Sequence, residues 1–228
     1  MNMSVHSNRR ALVIGANRGL GLILTKELVR RGWQVTATTR QQGGELRMSA
    51  DASNGQLTIE SLEMTSSEQL VALRDRLAGT KFELLFINAG INLGNELIGE
   101  VSTEIFTEVM VTNALSPLRV LESLRSLVTS DGTLAIMSSG QGSISLNTDD
   151  GYEVYKASKA ALNQLMRSYV NRTGEDGQTK LLIDPGHNRT SLVGFDAPLR
   201  PEESIPAVVD VLEAQLGAGG LQFLDRHG

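Results

Sequence analysis

The chain has 228 residues, 40% of them hydrophobic and 21% charged, with a formal net charge of −5. That composition suits a globular protein with a sizeable core, and its acidic balance argues against nucleic acid or an anionic membrane as partner, since both need a basic field. With no cysteine there is no disulfide, thiolate nucleophile or zinc–thiolate site, and three scattered histidines (His6, His187, His227) do not make a metal centre. No apolar run is long enough to span a bilayer, and "MNMSVHSNRR" lacks the apolar stretch of a signal peptide, so a cytoplasmic location is expected.

Along the chain, apolar runs rich in β-branched residues alternate with segments of helical period. "RRALVIG" (9–15) reads as a buried strand and "LGLILTKELVRRG" (20–32) as a helix closed by glycine. Strands are predicted at 34–39 and 56–62, with a polar surface loop over 41–55 between them. A helix over 66–79 starts at a serine and stops at a glycine. "FELLFIN" (82–88) is continuously apolar, as a strand covered on both faces should be. One long helix is expected over 102–128, then a strand over 132–139 and a helix from 151 to about 173. A strand (179–184), a helix (201–217) and a short strand (221–225) complete the order. This alternation predicts an α/β fold, a Rossmann-type doubly wound, mainly parallel sheet of seven strands with helices on both faces. Without repeats or linkers, residues 1–228 are expected to form a single domain.

The turn after the first strand, "GANRGLG", carries Gly15, Gly19 and Gly21. Glycines there let the backbone approach a pyrophosphate, which the following helix N-terminus attracts. At the end of the second strand, where a carboxylate would meet a ribose, stand Thr39 and Arg40. Arg18 lies within the glycine turn. Two guanidiniums and no carboxylate suit a 2′-phosphate, so NADP(H) is expected in preference to NAD(H). Further short motifs fall at the carboxyl ends of strands, where open parallel sheets bind ligands: "NAG" (Asn88, Ala89, Gly90), Ser138–Ser139 and "PGHNRT" (Pro185, Gly186 to Thr190). Asn113 lies within the long helical segment.

"GYEVYKASKAAL" (151–162) holds two Tyr-x-x-x-Lys pairs, Tyr152/Lys156 and Tyr155/Lys159. Residues four apart share a helix face, so either pair could set an ammonium beneath a phenol.

In this set and order the motifs resemble those of the short-chain dehydrogenase/reductase family, over Arg10 to about Thr190. "MSSGQGSI" and "FLDRHG" are similar to the small carbonyl-reductase-like branch related to the bacterial C-factor. The family's usual spacing of thirteen residues from serine to tyrosine selects Tyr152 when counted from Ser139. Two features oppose it. Small residues surround only the second pair, and Tyr155 stands thirty residues before Pro185, the family's usual distance. A surface loop accepts insertions more easily than a helix and its following strand, so the extra residues belong in "GSISLNTDDG" and the pair is Tyr155 with Lys159.

The resemblance implies hydride transfer between a nicotinamide and a carbonyl or alcohol. Tyr155 would be the acid/base, Ser139 a hydrogen-bond donor to the substrate oxygen, Lys159 a support for tyrosine and ribose, and Asn113 the holder of a relay water. It also implies cofactor contacts from Gly15, Asn17, Arg18, Gly19, Leu20, Gly21, Arg40, Glu63, Met64, Asn88, Ala89, Gly90, Pro185, Gly186 and Thr190, a substrate lid at about 187–203, and a homodimer or homotetramer packed through the 102–128 and Tyr155 helices. Two departures stand out. Ile14 replaces the usual threonine before the first glycine, removing a turn-stabilising hydroxyl, and Glu63 is one methylene longer than the usual acidic residue. An idle, nucleotide-sensing member is the alternative in another class. A member of the extended epimerase branch needs a C-terminal substrate domain larger than the 38 residues after Thr190.

Overall fold

The computed structural model describes residues 9–41, 44–174, 176–192 and 196–228. Seven strands form one sheet: β1 (Arg10–Ile14), β2 (Gln34–Thr39), β3 (Leu57–Ser61), β4 (Phe82–Ile87), β5 (Val128–Met137), β6 (Thr179–Asp184) and β7 (Leu221–Asp225). The order is β3-β2-β1-β4-β5-β6-β7, and every neighbouring pair is parallel. The strand order reverses between β1 and β4, which opens a crevice at their carboxyl ends.

Period-two alternation divides the core into two layers. Ala11, Val13, Leu84, Phe86, Ala135, Leu181 and Ile183 face α1 (Gly19–Arg30), α2 (Gly44–Asp51) and α7 (Pro201–Ala214). Leu12, Ile14, Leu85, Ile87, Leu134, Ile136 and Leu182 face α3 (Ser67–Arg76), α5 (Ser116–Leu124) and α6 (Glu153–Thr173). Both faces of the sheet are therefore dry, which is why its strands read as continuous apolar runs. Among the described residues no helix is long and apolar enough to cross a membrane, and no His/Asp/Glu group could hold a metal ion.

Three expectations about elements need correction. The loop predicted over 41–55 contains α2, which is held by one buried side chain, Leu46. The strand predicted to begin at Gly132 begins at Val128, so the preceding helical segment ends earlier. That segment is also not one helix. It runs as α4 (Thr103–Met110), a π turn at Val111–Leu115, and α5, followed by a 3-10 turn at Arg125–Leu127. Pro117 supplies the reason: it lacks the N–H that α-helical pairing would aim at the Asn113 carbonyl. The ladder opens there.

Candidate active site

The crevice is a cavity of about 610 Å³ over the carboxyl ends of the strands. Its floor begins at the first turn. Gly15 has φ +83°, and a Cβ there would lie 2.7 Å from the Ala89 Cβ. A Cβ on Gly21 would collide with the Gly15 carbonyl and stand 2.6 Å from Asn88 Nδ2, which donates to that same carbonyl at 3.1 Å. Asn88 and Ala89 both donate their backbone N–H to Ile14 O (2.9 and 3.2 Å). The Asn-Ala-Gly segment and the glycine turn are thus packed as one piece. Gly21 supports the turn from behind and does not line the cavity.

The hydroxyl that Ile14 cannot provide comes from β2 instead. Thr38 Oγ1 accepts from Gly15 N at 3.1 Å, and Thr38 O accepts from Ala16 N at 2.9 Å. Beyond the turn, α1 starts at Gly19 without a side-chain cap, so its first N–H groups face the cavity unclaimed by any side chain. A backbone that excludes Cβ atoms next to an uncapped helix N-terminus fits a dinucleotide pyrophosphate. Asn17, Arg18 and Leu20 line this part, as do Arg40, Glu63 and Met64 at the far end.

Arg40 is largely exposed (63%) and pairs with Glu63 at 3.3 Å. Glu63 also accepts from the Thr65 N–H and hydroxyl, and these contacts with Arg40 hold its carboxyl below the usual range against the opposing effect of burial. Thr39 exchanges hydrogen bonds with Gln41, donating to its carbonyl (2.7 Å) and accepting from its N–H (3.1 Å).

At the other end stand the candidate reacting groups. Tyr155 and Lys159 lie one turn apart on α6, only 8% and 5% exposed, and both line the cavity. Lys159 Nζ is 5.6 Å from the Tyr155 ring centre and donates to Met137 O at 2.9 Å. Burial pushes the Tyr155 phenol up to about 12, with the Ser139 hydroxyl pulling it down and the Asp184 carboxylate adding to the rise. Burial alone brings the Lys159 ammonium down to about 8. A titratable pair moved this far within a cleft is a mark of a functional site.

Tyr152 and Lys156 do not form such a pair. Tyr152 caps α6 with φ 52°, outside the helix proper, because Gly151 and Tyr152 both take left-handed conformations to turn the chain into α6. Lys156 Nζ reaches back to the carbonyls of Asp149 (2.6 Å) and Asp150 (3.3 Å), tying down the preceding loop. Neither residue lines the cavity among its described residues.

The two serines separate as well. Ser138 Oγ donates to Asn163 Oδ1 at 2.7 Å, whereas Ser139 Oγ only accepts from Gln141 N at 3.2 Å and so keeps its proton for another partner. Asn113 lies in the π turn, 1% exposed and behind the cavity wall. Both of its amide donors are committed: Nδ2 donates to Ile91 O (2.8 Å) and Ser158 Oγ (3.0 Å), and Oδ1 accepts from Ile91 N (2.8 Å). A Cβ on Gly90 would meet Asn113 Oδ1 at 3.3 Å and Lys159 Nζ at 4.0 Å, so these three groups adjoin.

Pro185, Gly186 and Thr190 line the cavity beside β6. The expected lid starts from a clasp: Asn188 bridges Leu199, Arg189 N donates to Leu199 O (2.8 Å) and Leu199 N to His187 O (3.2 Å). Buried Asn188 is held by Ser204 of α7 through its Oδ1. Residues 193–195 of that segment lie outside the described residues. Sequence reasoning missed Thr38 and Asp184 as cavity neighbours, and placed His187 and Asn188 only within the expected lid. The single hint was position, since each adjoins a strand end already in use.

The family profile described as short chain dehydrogenase matches residues 9–198. A Burkholderia multivorans protein of the short-chain dehydrogenase/reductase type, solved with bound NADP, is 47% identical with a TM-score of 0.95, covering 97% of this chain and 98% of its own. A carbonyl reductase from Pseudomonas aeruginosa PAO1 in complex with NADP is 33% identical with a TM-score of 0.90, covering 96% and 97%. A 1-hydroxy-2-glutathionyl-2-methyl-3-butene dehydrogenase from Rhodococcus sp. strain AD45 is 30% identical over 205 residues, 87% of this chain and 88% of the relative. With the parallel sheet, the glycine turn and the Tyr/Lys cavity already described, these matches mean that the chain belongs to the short-chain dehydrogenase/reductase family, oxidoreductases that act on CH–OH or C=O groups with NAD(P).

Proposed function

We propose that the chain interconverts a carbonyl and a secondary alcohol on a small, partly apolar substrate, using NADP(H) in preference to NAD(H), with Tyr155 as acid/base. The observation that carries this reading is convergence in one cavity. A buried phenol, a serine hydroxyl beside it and a buried ammonium meet at one end, and a glycine turn, an uncapped helix and two guanidiniums at the other.

When bound, the dinucleotide supplies or accepts hydride, and its oxidised ring carries a positive charge. Tyr155, its phenol pushed up to about 12, is protonated at neutral pH and donates its proton to the substrate oxygen during reduction. Ser139 donates to the same oxygen and stabilises the charge that develops on it. Lys159 keeps a cation one turn away, which favours the phenolate left behind, and it holds the nicotinamide ribose. Asn113 bonds both the N–H and the carbonyl of Ile91 and so positions that segment, beside which a relay water to Lys159 would be held. Arg18 and Arg40 would hold the 2′-phosphate, Arg40 exchanging its exposed ion pair with Glu63 for it. Residues 187–192 and 196–203 would supply the substrate lid, and the chain would act as one domain. Exposed Phe106, Leu115 and Leu165 on the helices of the expected interface support a homodimer or homotetramer. An idle nucleotide sensor would gain nothing from a lysine buried beneath a buried phenol.

Screening neutral aldehydes, ketones and diones with NADPH, followed by cofactor absorbance, tests the reading. Turnover is expected. No consumption with any of them, in a sample that binds NADPH, would overturn it.

A further inference from the structure

One carboxylate in the cavity has no part in the scheme above. Asp184 ends β6 and lines the cavity with Ser139, Gly140 and Tyr155. Its Oδ1 accepts from Gly186 N at 3.0 Å, which fixes the side chain. Its Oδ2 lies against Gly140, where a Cβ would come within 2.8 Å, so glycine at that position gives the carboxylate its room. Among the described residues no Lys, Arg or His forms an ion pair with it. Arg226 Nη1 packs against Gly186, and the register partner of Asp184 on β7 is Asp225, a second acidic residue. A half-buried carboxylate with one oxygen uncommitted among the described residues, lining the cavity with Ser139 and Tyr155, is placed to accept a hydrogen bond from a substrate.

We propose that Asp184 determines substrate charge, selecting carbonyl compounds that carry a protonated amine near the carbonyl over neutral ones and rejecting those that carry a carboxylate. The proposal rests on the reductase reading of the same cavity and adds the substrate class. The free Oδ2 accepts from the ammonium in a charge-assisted bond. A carboxylate-bearing substrate meets a like charge instead. The negative charge also acts on the phenol. Around Tyr155 stand Lys159 on its own helix and Asp184 from β6, while Glu153 of the same helix and Glu96 line a small second cleft with Tyr155. Glu153 accepts from Ile98 N (3.1 Å). Asp184 raises the Tyr155 pKa, so removing its charge lowers it.

The test is a phenyl ketone series differing only at the α-carbon, bearing ammonium, methyl or carboxylate, assayed with NADPH below neutral pH. In the unmodified enzyme kcat/KM should favour the ammonium compound over the methyl one by on the order of tenfold, with the carboxylate compound poorest. Asp184→Asn keeps an acceptor for Gly186 N and should bring the ammonium-to-methyl ratio to about one. In the same variant the acid limb of alcohol oxidation should move to lower pH, since the phenolate forms more readily. Turnover of the methyl ketone with an ammonium-to-methyl ratio of about one in the unmodified enzyme, or a ratio that Asp184→Asn leaves unchanged, overturns the role of Asp184 while the reductase reading stands. A preference for the carboxylate compound does the same. Failure to turn over any of the three compounds or a wider carbonyl set overturns both.

Discussion

The two ends of the cavity are built differently. At the Tyr155 end the decisive groups are buried and their hydrogen bonds are assigned: Asn113 to Ile91, Lys159 to Met137, Ser138 to Asn163. At the Arg40 end the side chain is 63% exposed and its ion pair with Glu63 is of the solvated kind worth little. Geometry sets the first end, and a small displacement there is costly. Charge sets the second, and its partner can be exchanged. Substitutions at the buried end should therefore change rate steeply, and those at the exposed end should change preference moderately.

The largest expected effect is at Lys159. Lys159→Met removes the cation that supports the phenolate, and turnover should fall on the order of 10³-fold. Stability should move the other way. Burial lowers the Lys159 pKa to about 8 in the folded chain from 10.5. At neutral pH the fold therefore carries a buried charge, and that penalty fades only as pH rises from about 8 through 10.5. Losing the charge should raise stability by on the order of 1 kcal/mol near pH 7, part of the gain being offset by the Met137 carbonyl left without a donor. Thermal melts at pH 7 and pH 10 check this, and the gain should shrink at the higher pH. A variant less stable at both would show that the buried lysine is held more favourably than its surroundings suggest.

Next comes Ser139→Ala, expected to lower kcat by on the order of 10²-fold, as loss of an oxyanion donor does. Ser138→Ala should alter stability more than rate, because its hydroxyl is spent on Asn163. Steady-state kinetics and melting of both variants separate the two serines. Equal rate losses would blur the distinction between cavity and core that the hydrogen bonds draw.

At the exposed end the effect is smaller. NADPH should be preferred over NADH by roughly ten- to a hundredfold in kcat/KM, the scale of one or two hydrogen bonds to a charged group. The double change Thr39→Asp, Arg40→Ala should reverse that preference, since aspartate can still accept from Gln41 N and would repel a 2′-phosphate. Kinetics with both cofactors decides it. Equal use of NADH by the unmodified enzyme would remove the phosphate site and leave the buried end untouched.

The same contrast explains what could be read from the residues alone. The seven strands and their parallel arrangement were legible because a sheet dry on both faces leaves continuous apolar runs. Spacing across a helix and strand, which is rigid, favoured Tyr155 over Tyr152, and of the two it is Tyr155 that lines the cavity. The π turn was not read, although Pro117 carries the signal: a proline inside a helical pattern removes a donor. Helix α2 escaped notice because one buried leucine, Leu46, leaves almost no periodic pattern in a polar stretch. Thr38 and Asp184 were missed for a different reason. Their roles arise between strands far apart in sequence, where Thr38 meets Gly15 and Asp184 meets Gly140. No local pattern records such a meeting.

The central claim is that Tyr155 and not Tyr152 exchanges the proton. Its most direct test is turnover of one ketone by Tyr155→Phe and Tyr152→Phe, with NADPH binding measured in parallel. The account predicts that Tyr155→Phe loses turnover by on the order of 10²–10⁴-fold while still binding NADPH. Tyr152→Phe should keep most of its activity, because that residue only caps α6. The reverse result, an active Tyr155→Phe beside an inactive Tyr152→Phe, would contradict it.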